Sequence, residues 1–288
     1  MLTRIDRVQL AVPDRDAAAQ GWVDILGAAH EHEDRVGSLA ALRSTYRLGD
    51  GHVELLEPDG AGPVAQAVGR NGAHLFAAGA ATLDIERFEA HLRTHGLQVA
   101  VEGRQIHLSD TDTGGQGLRL VVSPFEVRPE VGNVEHLYEV TNLVPDAPRA
   151  VAQYADLFGL PTAPFVPIDS SHYGYSGTLT LFEPDRLDRF EVIRPDDPAK
   201  TMGRFFAKRG PSLYMAFAES AHLPTIEALL SERGLSHTAE PSPERRDEQG
   251  PHTIFIHPPV LGGMMLGLSR PSFAWIWSGH PDRVEGKR

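Results

Sequence analysis

No cysteine occurs among the 288 residues. That absence excludes a disulfide framework, a thiolate metal site and a cysteine nucleophile. Long apolar runs are missing too: no stretch approaches the roughly 18 residues of a membrane span. Positive charge is scarce. Lys and Arg number 27 against 39 Asp and Glu, a formal net charge of -12, which runs against the basic balance of a nucleic-acid binder. No local basic stripe reverses it. The opening residues Met1 to Asp6 show no apolar signal region, so a cytoplasmic protein with neither a membrane nor a nucleic-acid partner is the expectation. The rest is ordinary for a globular chain, 41% hydrophobic and 23% charged, and long enough for about two domains with a substantial core.

What is present is a repeat. Strand-like passages begin at Arg7, His74, His136 and Ser212, and each leads into a helix-like run that stops at a glycine: Gly27, Gly96, Gly159 and Gly234. The spacing from strand to glycine is about 20 to 23 residues each time, the mark of one supersecondary unit used four times. Trp22, Ile25 and Leu26 line the first helix; Ile85, Phe88 and Leu92 the second; Val151, Tyr154, Leu157 and Phe158 the third; Ile226, Leu229 and Leu230 the fourth. Later strands are read at Leu39 to Leu48, His52 to Pro58, Ile106 to Leu108, Gly117 to Val122, Thr178 to Phe182, Arg189 to Ile193, Thr253 to His257 and Met264 to Leu268. Period two puts His52, Glu54 and Leu56 on one face. Short helices are expected at Pro63 to Gly69 and Met202 to Lys208. Asp14 or Asp16 is a candidate cap for the first helix. Phe273, Trp275 and Trp277 read as a terminal strand against the core, and the tail beyond Gly279 as loose.

The fold expected is therefore α+β, four β-α-β-β-β modules. The divisions are 1–124, a linker at 125–132, a second unit at 133–271 and a tail at 272–288. In this arrangement the chain resembles the vicinal oxygen chelate superfamily, which includes glyoxalase I, methylmalonyl-CoA epimerase, extradiol dioxygenases and bleomycin-type resistance proteins. The passages that carry the resemblance are Val53-Glu54-Leu55-Leu56-Glu57-Pro58, Met202-Gly203-Arg204-Phe205-Phe206-Ala207-Lys208-Arg209-Gly210, and Ile254-Phe255-Ile256-His257-Pro258-Pro259 followed by Gly262-Gly263.

The resemblance implies two tandem open barrels, each built from two modules around a divalent metal such as Zn, Fe, Mn, Ni or Co. Nitrogen and oxygen ligands suit such ions, and open coordination positions stabilise an enolate. The ligand positions fall on Arg7, Glu54, His74 and Arg119 in the first two modules, and on His136, Glu191, Ser212 and Gly267 in the last two. If neighbouring modules pair in chain order, each barrel keeps two candidate ligands. If modules two and three pair instead, His74, His136 and Glu191 form a facial triad, with Arg119 free to hold a substrate carboxylate.

By resemblance the leading function is a glyoxalase- or epimerase-like enzyme, an isomerase or lyase working by proton transfer on a small oxygenated metabolite, with a degenerate metal site. His136 and Glu191 are its candidate catalytic residues. Arg119, His172, Tyr138 and Tyr214 are candidates for substrate binding. The alternatives are metal-free binding and sequestration of a small molecule, as in the resistance branch, and extradiol ring cleavage, disfavoured because Ser212 and Gly267 replace iron ligands. A homodimer is the candidate assembly. His30-Glu31-His32-Glu33 reads as a solvated edge, and Gly114 to Gly117 as a turn.

Overall fold

The computed structural model describes residues 1–284. The first half runs β1 (Leu2–Ala11), α1 (Arg15–Leu26), β2 (Ala29–Val36), β3 (Ala41–Leu48), β4 (Gly51–Pro58), α2 (Pro63–Asn71), β5 (His74–Thr82), α3 (Ile85–Thr94), β6 (Ala100–Glu102), β7 (Gln105–Leu108) and β8 (Leu120–Pro124). The second half repeats it: β9 (His136–Leu143), α4 (Ala147–Phe158), β10 (Val166–Ser170), β11 (Tyr175–Leu181), β12 (Arg189–Pro195), α5 (Thr201–Arg209), β13 (Ser212–Glu219), α6 (Leu223–Glu232), β14 (His237–Glu240), β15 (Thr253–Ile256) and β16 (Met265–Ser269).

Local chemistry sets the helix ends. Asp14 caps α1 by accepting from the Ala17 amide at 2.9 Å, while Asp84 and Asp146 accept from Arg87 and Arg149 in the same way. Gly27 closes α1 in the left-handed region, φ 73°, and Gly159 closes α4, φ 59°.

The strands form two eight-stranded sheets, β2-β3-β4-β1-β5-β8-β7-β6 and β10-β11-β12-β9-β13-β16-β15-β14. Modules therefore pair in chain order. Each sheet has its two opening strands antiparallel at the centre, β1 on β5 and β9 on β13, with a parallel partner outside each. One continuous apolar core runs through both halves, from Leu10, Trp22 and Val53 to Tyr154, Phe190 and Leu266. Helix α1 lies against α6, α3 against α4, and β1 against β9. The other face of each sheet curls into a cup with its own smaller cluster: Leu39, Leu56 and Phe76 in the first, Tyr138, Leu179 and Trp275 in the second.

Curling brings the edges of the first sheet together. Glu102 on β6 accepts from the amides of Gly37 (2.6 Å) and Ser38 (3.0 Å) beyond β2, and from the Ser38 hydroxyl (2.8 Å).

Two expectations fail at the chain end. Phe273 to Ile276 form a 3-10 turn rather than a strand, and Trp275 packs into the second cup. Beyond Gly279 the chain is tied down through residue 284: Arg283 lies 4.7 Å over the Trp275 ring and donates to the Pro184 carbonyl at 2.7 Å. The aromatic side chains cover more apolar surface by folding back than an extended edge would. The rest of the expected tail, 285–288, lies outside the described residues.

Candidate functional site

The first cup is organised around Glu54, 1% exposed. Its register explains the convergence: on β1, Arg7 stands beside His52 and Gln9 beside Glu54, so alternate residues of both strands face the same way. Oε1 accepts from Arg7 Nη1 (2.7 Å) and Gln105 Nε2 (3.1 Å); Oε2 accepts from Gln9 Nε2 (2.6 Å) and Arg43 Nη1 (3.4 Å). Arg7 also holds both oxygens of Asp6, and Arg43 both oxygens of Asp34. Arg43 reaches Gln105 at 2.5 Å, so β3 and β7, on opposite walls, are barred together across the cup. Burial alone would raise the Glu54 pKa, yet Arg7 and Arg43 hold it down at about 2. Gly79 makes room for this arrangement: a Cβ there would lie 1.8 Å from Arg7 Cγ.

Two hollows flank the bar. One, of about 220 Å³, is polar and includes Arg7, Thr45, His52 and Ser123 in its wall. Burial, with Arg7 and Arg128 nearby, pulls the His52 pKa down to about 4. The other, of about 180 Å³, lies between Leu39, Phe76, Leu120, His107, Ser109 and Arg119. Arg119 stacks over the Phe76 ring at 4.8 Å. Among the described residues its guanidinium makes no hydrogen bond or ion pair, since neighbouring Asp112 is held by Ser109 through its amide (2.7 Å) and hydroxyl (2.6 Å). His107 shares this wall; burial lowers its pKa, and its buried Nε2 has no partner.

The second cup carries the opposite charge order. Glu139 on β9 stands beside Arg189 on β12, and Arg189 Nε donates to Glu139 Oε2 at 2.6 Å with both side chains essentially buried. Arg189 also lies 5.0 Å over Tyr138, whose hydroxyl meets Ser269 Oγ at 3.0 Å. Next along β12, Glu191 accepts from Thr141 Oγ1 at 2.5 Å. Burial and the Glu139 charge push its pKa up to about 8. Leu179, Leu181, Phe217 and the Trp275 turn pack together in the cup beside these groups.

The strand order overturns the exchanged pairing. His74 belongs to the first sheet, and His136 and Glu191 to the second, so the condition for the His74, His136 and Glu191 triad is not met. Nor do His136 and Glu191 converge. The β9 partner of Glu191 is Thr141, five residues past His136 and about 16 Å farther along at roughly 3.3 Å per residue. His136 sits at the β9 entrance, its Nε2 3.7 Å from Glu219, with burial holding its pKa at about 4. His74 bonds the Gly72 carbonyl through Nδ1 at 2.8 Å. Tyr214 packs against Phe205 at 5.0 Å between ring centres. His172 lies in the β10–β11 turn, edge-on to Tyr173 at 4.6 Å. Of the ligand positions picked out in the sequence, Arg7 and Glu54 line the polar hollow and Arg119 the more apolar one.

The sequence reading missed Glu139, Arg189, Arg43 and His107. A signal for the first was available. Val12-Pro13-Asp14 and Val144-Pro145-Asp146 are the same strand ending; aligned on them, Arg7 corresponds to Glu139, not His136.

A divalent metal is the group the fold implies, and the residues present do not fit one. Both Glu54 oxygens are committed to four donors, and two guanidinium groups stand where a cation would have to sit. In the second cup Glu139 is engaged by Arg189, and Glu191, with its pKa raised, is a poor ligand near neutrality.

Residues 6–113 match the family model for the glyoxalase/bleomycin resistance protein/dioxygenase superfamily. No protein of curated function matches the chain by sequence. Among solved structures, a variant of 4-hydroxymandelate synthase from Streptomyces coelicolor aligns with a TM-score of 0.70 at 16% identity, over 93% of this chain and 93% of that one. The 2,3-dioxygenase LapB from a Pseudomonas species gives 0.59 at 12% identity, over 93% and 92%. A methylmalonyl-CoA epimerase from Mycobacterium tuberculosis gives 0.40 at 24% identity, over 48% and 89%. The first two share the fold along nearly their full length, and identities this low speak to fold alone. Residues 6–113 thus resemble the glyoxalase/bleomycin resistance protein/dioxygenase superfamily in sequence, and the second half repeats the same sheet order, so the chain has that fold in a tandem, four-module form.

Proposed function

We propose that the chain binds a small carboxylic acid with an apolar or aromatic body in its first cup, without the help of a metal. The observation that carries this reading is Arg119: a half-buried guanidinium, braced on Phe76, with its donors uncommitted at the wall of a cavity of about 180 Å³. Asp110 and Asp112 lie near enough to act on its charge, but neither pairs with it, so its hydrogen-bond donors are open to a carboxylate. The hollow is smaller than the roughly 300 Å³ at which drug-sized sites begin, so the ligand is a compact acid. Leu39, Phe76 and Leu120 supply the apolar wall.

Calorimetry against short aliphatic and aromatic acids, each paired with its amide, tests this. Acids should bind and amides should not. Arg119→Met should weaken the acid about 10- to 100-fold, the loss of a charge-assisted hydrogen bond worth about 1.5–3 kcal/mol. Equal binding of acid and amide, or an Arg119→Met variant that binds as well as the parent, would overturn the reading.

A second reading, proton transfer on the bound acid, is favoured by His107. A neutral imidazole on the cavity wall is the right species for a general base. Under it His107→Gln retains binding and abolishes turnover; a binding-only protein shows no turnover to lose.

A further inference from the structure

Away from both cups, the end of α3 presents two imidazoles to α4. His91 and His95 stand four residues apart, so they share one helix face. Their ring centres are 4.8 Å apart at an interplanar angle of 63°. Two imidazoles bound side by side on one ion, with bonds of about 2.1 Å, would have ring centres roughly 4.6–5.3 Å apart, so the pair already has the spacing of a chelate. Both rings lean towards the last turn of α4. His95 Nδ1 lies 3.7 Å from Asp156 Oδ2. His91 Nε2 lies 3.5 Å from where a Gly159 Cβ would stand, is buried, and has no hydrogen-bond partner. A buried ring nitrogen without a partner is a cost that a bound cation would remove. The carbonyl end of α4 adds a favourable dipole for positive charge.

We infer that His91, His95 and Asp156 form a binding site for a late first-row divalent ion, bridging the two halves of the chain. Among the described residues no three His, Asp or Glu side chains already converge on one point. Here the two rings stand at a spacing compatible with one ion, and turning one nitrogen of each to a common point, with rotation of the Asp156 carboxylate, 81% exposed, completes the set. Imidazole nitrogens with one carboxylate select Zn²⁺, Cu²⁺ or Ni²⁺ over Mg²⁺ or Ca²⁺. Because α3 and α4 belong to different halves and pack together, the bound ion would act as a staple between them.

The test is calorimetric titration of chelator-stripped, full-length protein with ZnCl₂ at pH 7.5, alongside unfolding with and without Zn²⁺. One saturable site is expected, with a higher unfolding midpoint in its presence. His91→Asn and His95→Asn should each weaken Zn²⁺ at least tenfold and remove the thermal gain. A His30→Asn/His32→Asn variant, altered in the other closely spaced histidine pair, should bind as the parent does. If a histidine variant folds poorly, the exposed Asp156→Asn carries the same test and should weaken binding several-fold. Absence of saturable binding, or binding that survives the His91→Asn/His95→Asn double change, overturns the assignment. So does binding lost on changing His30 and His32.

Discussion

Removing Arg7 should show how much the centre of the first cup depends on charge balance. Arg7→Met leaves Glu54 buried with Arg43, Gln9 and Gln105, and strips Asp6 of both its hydrogen bonds from the guanidinium. Breaking a buried pair in this way costs about 3–5 kcal/mol, and the surviving donors put the expectation near the lower figure. The depressed Glu54 pKa sets a second magnitude, for Arg7, Arg43, Gln9 and Gln105 acting together. Glu54 is held at about 2 against an ordinary 4.5, a difference worth about 3 kcal/mol. A depressed carboxylate contributes its stability above the unfolded value, so this share is intact at pH 7 and is lost as pH falls from about 4.5 towards 2. Urea unfolding at pH 7 and across that acid window measures both. Glu54→Gln should flatten the acid limb. The double variant Arg7→Met/Glu54→Gln should be less damaged than the sum of the singles by roughly 1–3 kcal/mol. Additive singles, or an Arg7→Met variant within about 0.5 kcal/mol of the parent, would refute the account of Glu54 as a carboxylate satisfied by internal cations.

Two further outcomes follow from the same geometry. Gly79→Ala places a methyl group 1.8 Å from Arg7 Cγ and should destabilise by about 1–3 kcal/mol through overpacking; an unchanged Tm would show that Arg7 can move aside. Glu191, raised to about 8, is protonated in the folded state at neutral pH, so its stabilising share is full below about 4.5 and is lost as pH rises through 8. Glu191→Gln mimics the protonated acid, and its unfolding midpoint should fall less between pH 6 and 9 than the parent's. Parallel profiles would count against a neutral Glu191.

Much of the fold was legible because its signals are local and repeated. Strand, apolar stripe and glycine recur in order in all four modules, with a capping Asp in three of them, and the short helices at Pro63 and Thr201 were foreseen within two or three residues. Four edge strands were not. β2 is exposed along almost its whole length, so it shows no alternation of buried and polar residues, and β6, β10 and β14 are short. The site was harder. Arg119 stood out because an arginine at an expected ligand position is conspicuous. Arg43 and Gln105 meet only because the sheet curls, and residues 62 apart in sequence give no sign of that. His136 misled because histidine draws attention by type, whereas the strand register belongs to Glu139.

The reversed order of the two buried ion pairs has a consequence for assembly. The arginine lies on the opening strand of the first half, Arg7, and on the fourth strand of the second, Arg189. Were β1 to take the place of β9, two guanidinium groups would be sealed side by side in an apolar setting, and the converse error would bury Glu139 near Glu54 with Arg43 left to offset both charges. Duplicated units of similar shape are at risk of trading strands while the chain is still being made. Inverting the polarity makes each illicit pairing self-penalising, so electrostatics, as well as the short connections, keeps each sheet loyal to its own half.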